Sequence, residues 1–319
     1  MGELYKKILI LACLGVMLLS QPCFSQDHDL DIVILASDTL TSSKRSIHGA
    51  KKIILTQHPE VKFHYYLISK KNSDNLSIVD SIKNNKTSLI LTIGSSATKL
   101  AQDNFKNIPI VFSAVKYPVL SGFVNSINRP GKNITGASLD IPVDVQFKYY
   151  KKIIPNLKKV GVLYTENTES LIPQAKVIAY QLGIKLISIK VNNDKELPSA
   201  LDSLCHLVGG VWSVADANLF KPKSTRYILL NTLRKGIPFM GFSRYIVESG
   251  ALFALDFDYK AVGFQAGDIV NRILEGEKPI NIRVTTADVI WFHYNENTAK
   301  RIHITIPEEL TAVAKEVYR

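Results

Sequence analysis

From Asp31 onward the chain alternates between two hydrophobic periods. Short continuous apolar runs at 31–37, 61–68, 88–93 and 109–114 read as strands buried on both faces. Between them, 42–58, 76–84 and 95–105 carry apolar residues at helical spacing, the first opened by Ser42 and Ser43 as candidate caps. A stretch rich in Gly and Pro, 118–136, interrupts the rhythm, which then restarts. Strands are predicted at 160–164, 184–191, 211–214, 237–240 and 251–255, with helices at 170–182, 195–204 and 224–235. An amphipathic helix at 259–274, a strand at 284–291 and a final helix at 307–318 complete the chain.

Alternation at this spacing means right-handed βαβ units and parallel sheets. The interruption divides the pattern in two. The predicted fold class is therefore α/β, with two doubly wound parallel-sheet lobes joined by a hinge and a crossing near 138–140. The helix at 259–274 and the strand at 284–291 are expected to return to the first lobe. Lobe 1 is then 26–138 plus about 259–290, and lobe 2 is 139–258 plus about 291–319. Open parallel sheets bind ligands beyond the carboxyl ends of their strands. Two such lobes facing each other form a cleft that can shut around a small molecule by hinge motion.

Residues 1–25 follow another pattern. Lys6 and Lys7 precede an unbroken apolar run at 8–19, followed by Ser20, Gln21 and Pro22. A positive start, a short apolar run and a breaker make a secretory signal peptide, and the run is too short to span a bilayer. Small residues at Cys23 and Ser25 place cleavage before Gln26. Lipid attachment through Cys23 is the rival reading, opposed by the poor approach sequence Ser20-Gln21-Pro22. The mature chain is expected to be exported and periplasmic. Cys13 and Cys23 leave with the signal, so Cys205 has no internal disulfide partner and reads as a small core residue.

Composition narrows the classes. With 46% hydrophobic and 21% charged residues, 17 Gly and 13 Pro in 319, the chain is neither collagen-like, disordered nor disulfide-knotted. The formal net charge is +11, which invites a nucleic-acid reading. Yet pairs such as Lys51-Lys52, Lys151-Lys152 and Lys158-Lys159 are scattered over several elements without interleaved aromatics. A solvated surface is expected, with no nucleic-acid partner.

Candidate chemistry is sparse. Gly94-Ser95-Ser96-Ala97-Thr98 joins a strand to a helix, where free N–H groups and hydroxyls suit a carboxylate, or where Ser95 or Ser96 simply caps the helix. It is neither a GxGxxG nor a Walker loop, which removes most support for a Rossmann oxidoreductase. No GxSxG elbow or HExxH is present, and the seven histidines lack metal-ligand spacing. No catalytic residue, metal or cofactor is expected, so the chain is not read as an enzyme. Asp256-Phe257-Asp258 at a strand end reads as capping. Trp212, with Asp216 just beyond, could offer a stacking face and a charge in a cleft, or fill the core.

The stretch Ile108-Pro-Ile-Val-Phe112, through Pro118-Val119, Gly122-Phe123-Val124, Pro130-Gly131, Asn133 and Thr135-Gly136, carries a resemblance. It continues in Val160-Gly-Val-Leu-Tyr164, Gly250-Ala-Leu252, Asp258-Tyr259, Gly263-Phe-Gln-Ala-Gly267 and Ile273-Leu-Glu-Gly-Glu-Lys-Pro279. These residues resemble the solute-binding proteins of ABC transporters related to tryptophan/tyrosine-type binding proteins, of the type I periplasmic binding fold. The resemblance spans roughly 31–318.

The resemblance implies a non-catalytic, monomeric receptor that closes on a small, amino-acid-like solute and docks with an ABC permease and its ATPase. Use by a membrane sensor is the alternative. A sugar-responsive repressor shares the two-lobe core, but a signal peptide stands where its DNA-binding helices would be. The implied cleft positions are Ser95, Ser96, Ser138, Asp216 and Ser243. Asp38, Lys116, Tyr117, Tyr164 and Trp212 complete the expected ligand-binding set. Two departures stand out. The family usually carries an Asp before the proline of its Asp-Pro-Val step, and here Lys116-Tyr117 precede Pro118. The loop Glu166-Asn-Thr-Glu-Ser170 is one residue shorter than usual.

Overall fold

The computed structural model describes residues 30–69 and 71–319, so the signal-peptide reading of 1–25 lies outside the described residues. Lobe 1 is built on β1 (Asp31–Ala36), β2 (Lys62–Leu67), β3 (Thr87–Ile93), β4 (Ile110–Val115) and β5 (Ile134–Ser138). Its sheet runs β2-β1-β3-β4-β5, with every neighbouring pair parallel. The crossovers are α1 (Thr41–Gln57), α2 (Asn75–Asn84) and α3 (Ser95–Asn104). Ile32 to Ala36 are all buried, as a strand with helices on both faces requires.

Lobe 2 follows with α4 (Val143–Ile153), β6 (Lys159–Tyr164), α5 (Ile172–Gln181), β7 (Lys185–Lys190) and α6 (Leu197–Leu207). It continues through β8 (Val211–Trp212), α7 (Pro222–Arg234), β9 (Phe239–Gly241), α8 (Arg244–Glu248) and β10 (Phe253–Phe257). One face of its sheet packs Phe147, Tyr150, Trp212, Phe253 and Phe292, and the other packs Leu163, Leu201, Leu204, Ile228 and Val247. The chain then returns to lobe 1 as α9 (Tyr259–Leu274), which lies along α1 and against β4 and β5. Glycines permit this close approach. A Cβ on Gly49 would overlap the Lys260 carbonyl, and one on Gly263 would overlap the Ser46 carbonyl.

The end of the chain departs from the sequence reading. The strand expected at 284–291 is split between the lobes. Its start hangs on the edge of β5, with Ser138 N–H donating to Thr285 O (2.8 Å) and Thr285 N–H to Gly136 O (3.0 Å). Its end belongs to β11 (Ile290–Asn295) in lobe 2. Because the chain enters β11 from the cleft, Ile290 sits opposite Phe257 and β11 runs antiparallel to β10. After α10 (Glu296–Arg301), the helix expected at 307–318 is a single turn, α11 (Glu308–Thr311), followed by β12 (Ala314–Tyr318). The free edge of β11 pairs with this segment in parallel and overrides its helical spacing. The final order is β12-β11-β10-β9-β8-β6-β7.

Three short helices and β5 have no counterpart in the sequence reading: α4, α8 and α10. β5 contains Gly136, where a Cβ would overlap Phe112 backbone and ring, so close packing replaced an apolar side chain. α4 is dense in aromatic and β-branched residues, yet Phe147, Tyr150 and Ile153 recur at a spacing of three and are its buried face.

Candidate functional site

The chain passes between lobes three times, at 139–142, at Asp258 and at 286–289. The site is built where these passages meet the end of β4. Two residues there, Ala114 (φ 58°) and Tyr117 (φ 51°), adopt left-handed backbone that non-glycine residues rarely take. Tyr117 is held there from both ends. Its N–H donates to both oxygens of Asp140 (3.0 and 3.1 Å) on the first passage. Its hydroxyl oxygen accepts from Ala215 N–H (3.1 Å) beyond β8, so a lobe 1 side chain bonds lobe 2 backbone. Burial pushes the Tyr117 phenol up to about 12, which keeps the hydroxyl neutral at physiological pH.

Lys116 stands beside it. Its ammonium lies 5.4 Å from the Phe257 ring centre and 5.8 Å from that of Phe242. Among the described residues no hydrogen bond or ion pair reaches Nζ. Burial pushes the Lys116 amine below the usual lysine range, opposed by the charges of Asp256 and Asp140. Burial likewise raises the Asp140 carboxyl, opposed by the Tyr117 N–H, Ser138 and Lys116.

Two spaces meet at Lys116 and Phe257. The inner one, about 50 Å³, is walled by Tyr117, Asp140, Trp212, Ala215 and Phe242 and has room for little more than water. The outer one, about 650 Å³, opens between the start of α1 and lobe 2, and is walled by Arg45, Ser243, Arg244, Tyr245, Trp291 and Lys315. That volume is in the range of small-molecule sites. Arg45 pairs with Asp258 (2.9 Å), Arg244 pairs with Glu316 (3.1 Å), and Arg45 and Lys315 stack on Trp291 from 5.6 and 4.7 Å. His293 also faces this space. It is 1% exposed, and neither ring nitrogen has a hydrogen-bond partner. Its Nδ1 lies 3.4 Å from Glu316 without hydrogen-bond alignment. Burial lowers the His293 pKa, opposed by Asp256 and Glu316, so the ring is neutral at pH 7.

The residues singled out from sequence are distributed unevenly. Lys116, Tyr117 and Trp212 line the inner space, and Lys116 and Ser243 line the outer one. Trp212 is also core: it stacks edge-on against Phe147, and its Nε1 donates to Gln146 Oε1 (2.7 Å). Ser138 is buried, accepting from Asp140 N–H (3.0 Å). Asp216 lines neither space. Its Oδ2 accepts from Thr165 N–H (3.1 Å) and from the hydroxyls of Thr165 and Thr168 (both 2.7 Å), and its Oδ1 accepts from Asn218 N–H (3.0 Å) and Leu219 N–H (3.3 Å). Asp38 accepts from Leu40 N–H and the Ser43 hydroxyl, fastening the entry to α1. Ser95 and Ser96 are exposed at the start of α3. Neither caps it. Ser37 of the β1 loop does so instead, accepting from Ala97 N–H (2.9 Å). Tyr164 ends β6, packed on the lobe 2 core.

Sequence reasoning missed Arg45, Arg244, Trp291, His293 and Lys315. Arg45 comes from the start of α1 and Arg244 from the start of α8, while Trp291, His293 and Lys315 come from β11 and β12 and reach the cleft because β11 starts there. The sole signal was Trp291 at a strand end.

Two facing parallel-sheet lobes with a polar and aromatic cleft at their crossings define a bilobal binding protein. A family model for the ABC transporter substrate binding protein matches residues 32–318, and the chain belongs to that family. Its members are substrate-binding proteins rather than enzymes. The chain is 28% identical over 229 residues to a tyrosine-binding protein of Clostridioides difficile, an alignment covering 71% of this chain and 66% of that protein. It is 24% identical over 221 residues to an uncharacterized protein of Rickettsia prowazekii, covering 65% and 64%. The chain thus spans just under two thirds of the length of these curated relatives. In fold it is similar to the ligand-free, open structure of CD0873, a substrate binding protein with adhesive properties from Clostridium difficile. There the TM-score is 0.75 at 22% identity, over 91% of this chain and 99% of that one. It is likewise similar to the ABC domain in complex with L-Trp from Streptococcus pneumonia, with a TM-score of 0.64 at 21% identity over the same shares.

Proposed function

We propose that this protein is an exported, monomeric receptor of an ABC importer, which closes its two lobes around a small solute and delivers it to a membrane permease. The observation that carries the reading is the cleft itself: a 650 Å³ space lined from both lobes, at whose base Tyr117 of lobe 1 bonds Ala215 of lobe 2. A solute spanning that base adds contacts in the closed form that the open form lacks, and so shifts the population toward closure. The division into 26–138 with about 259–290, and 139–258 with about 291–319, gives the moving bodies. The signal-like pattern of 1–25 supports export to the periplasm. The tyrosine-binding relative and the L-Trp complex support a solute of amino-acid size.

The test is thermal denaturation of the chain from Gln26 against a panel of amino acids and small metabolites. A binder present at a hundred times its Kd adds about 2.7 kcal/mol and raises the Tm by several degrees. A flat melting temperature across the panel contradicts the reading.

A further inference from the structure

Among the ionic groups lining the cleft, most are already matched. Arg45 is paired with Asp258 and Arg244 with Glu316. The two carboxylates nearest Lys116 are engaged with backbone: Asp140 accepts from Tyr117 N–H, and Asp256 accepts from Phe257 N–H (2.9 Å) and Arg244 N–H (3.4 Å). Two cations facing the outer space are left with aromatic rings as neighbours and no carboxylate in ion-pair range among the described residues: Lys116 and Lys315. The buried, unpartnered His293 faces the same space. A half-buried ammonium without an acceptor is unfavourable, so Lys116 favours an oxyanion beside it, with the exposed ammonium of Lys315 adding positive charge at the rim of the same space. Four aromatic rings, Phe257, Tyr245, Tyr259 and Trp291, also line this space.

We infer that the solute is an organic acid with an aromatic or apolar body, whose carboxylate accepts from Lys116 at the base of the cleft, and that no ammonium group of the solute is read there. The inference rests on the receptor reading and specifies the solute class for that same cleft. An ammonium placed at this point would lie against Lys116 and lose affinity by like-charge repulsion. The carboxylate gains a charge-assisted hydrogen bond in a desolvated setting, while the rings around it supply area without ordering cost in the solute.

The experiment is isothermal titration of the chain from Gln26 with 4-hydroxyphenylacetate, indole-3-acetate and phenylpyruvate, each beside L-Tyr, L-Trp and L-Phe, in wild type, K116Q and K116R. At least one acid is expected to bind tenfold or more tighter than its amino-acid counterpart. K116Q is expected to weaken that acid by roughly 10–100-fold, with K116R recovering most of it, as loss and return of a charged hydrogen bond require. Unliganded melting curves show that both variants fold. Tighter binding of an amino acid, with K116Q within threefold of wild type, overturns the inference and leaves the receptor reading standing. Acid binding that K116Q does not weaken overturns it as well. Silence from every acid and amino acid overturns the inference, while the receptor reading stands or falls on the wider thermal panel.

Discussion

Asp216→Ala tests the internal wiring of lobe 2. In the wild type one buried carboxylate collects five hydrogen bonds that tie the loop after β6 to the loop after β8. Truncation leaves the N–H groups of Thr165 and Leu219, both buried, without acceptors. Each buried unsatisfied donor costs about 1–3 kcal/mol, whereas the two threonine hydroxyls can turn to other partners, so the loss is about 3–5 kcal/mol. At roughly 2–4 °C per kcal/mol for a chain of this size, the Tm falls by roughly 6–20 °C, read by circular dichroism. Burial alone would raise the Asp216 pKa, but the donors from Thr168, Thr165 and Asn218 outweigh it and hold the carboxyl below the usual range. A depressed folded-state pKa gives stability that is complete above the ordinary carboxylate range and is lost as pH falls through the folded value. The gap between wild type and D216A is therefore wide at neutral pH and narrows in acid. D216N keeps one oxygen but sets amide donors against the Thr165 N–H and Thr168 hydroxyl, and should fall between the two. A D216A protein melting within about 2 °C of wild type at pH 7 would refute the reasoning.

The other expectations are briefer. Tyr117→Phe removes the bond to Ala215 N–H, worth about 0.5–1.5 kcal/mol, and should shift the unliganded population toward the open form by roughly fivefold, seen as a longer inter-lobe distance in single-molecule FRET. Gly263→Val drives a branched side chain into the Ser46 carbonyl, parts α1 from α9, and should cost about 2–4 kcal/mol in chemical denaturation. The Lys116 amine is held below the usual lysine range, so affinity for an organic acid should fall as pH rises through that lowered value, with proton uptake on binding at alkaline pH; the heat of binding in buffers of different ionisation enthalpy reads it.

What the sequence made legible follows from local chemistry. The apolar runs of β1 and β3 act through near neighbours, and the alternation they set up implies two lobes, whereas Gly263 was visible only within the resemblance, because its partner Ser46 lies on another helix far along the chain. Lys116 and Tyr117 were visible as departures from a familiar pattern, and they do stand at the base of the cleft. The roles of Asp216 and Ser95 were not legible. A carboxylate two residues past a strand looks the same in sequence whether it faces a solute or collects five donors from two loops. Likewise the helix after Gly94 is capped by Ser37, 60 residues away from the Ala97 it serves. The outer wall was hidden for a topological reason. Trp291, His293 and Lys315 reach the cleft only because β11 enters lobe 2 antiparallel and draws the last residues into β12, and no periodicity in 284–318 announces that pairing.

The chain has two tryptophans, Trp212 and Trp291, and each lines one of the two spaces of the cleft. Intrinsic tryptophan emission therefore reports on the cleft, through Trp291 in the outer space and Trp212 in the wall of the inner one. The most direct test of the account is a fluorescence titration with the solute that most raises the Tm. Binding in the cleft predicts a saturable change in emission, whose midpoint equals the calorimetric Kd. A solute that binds by calorimetry while the emission stays unchanged would contradict it.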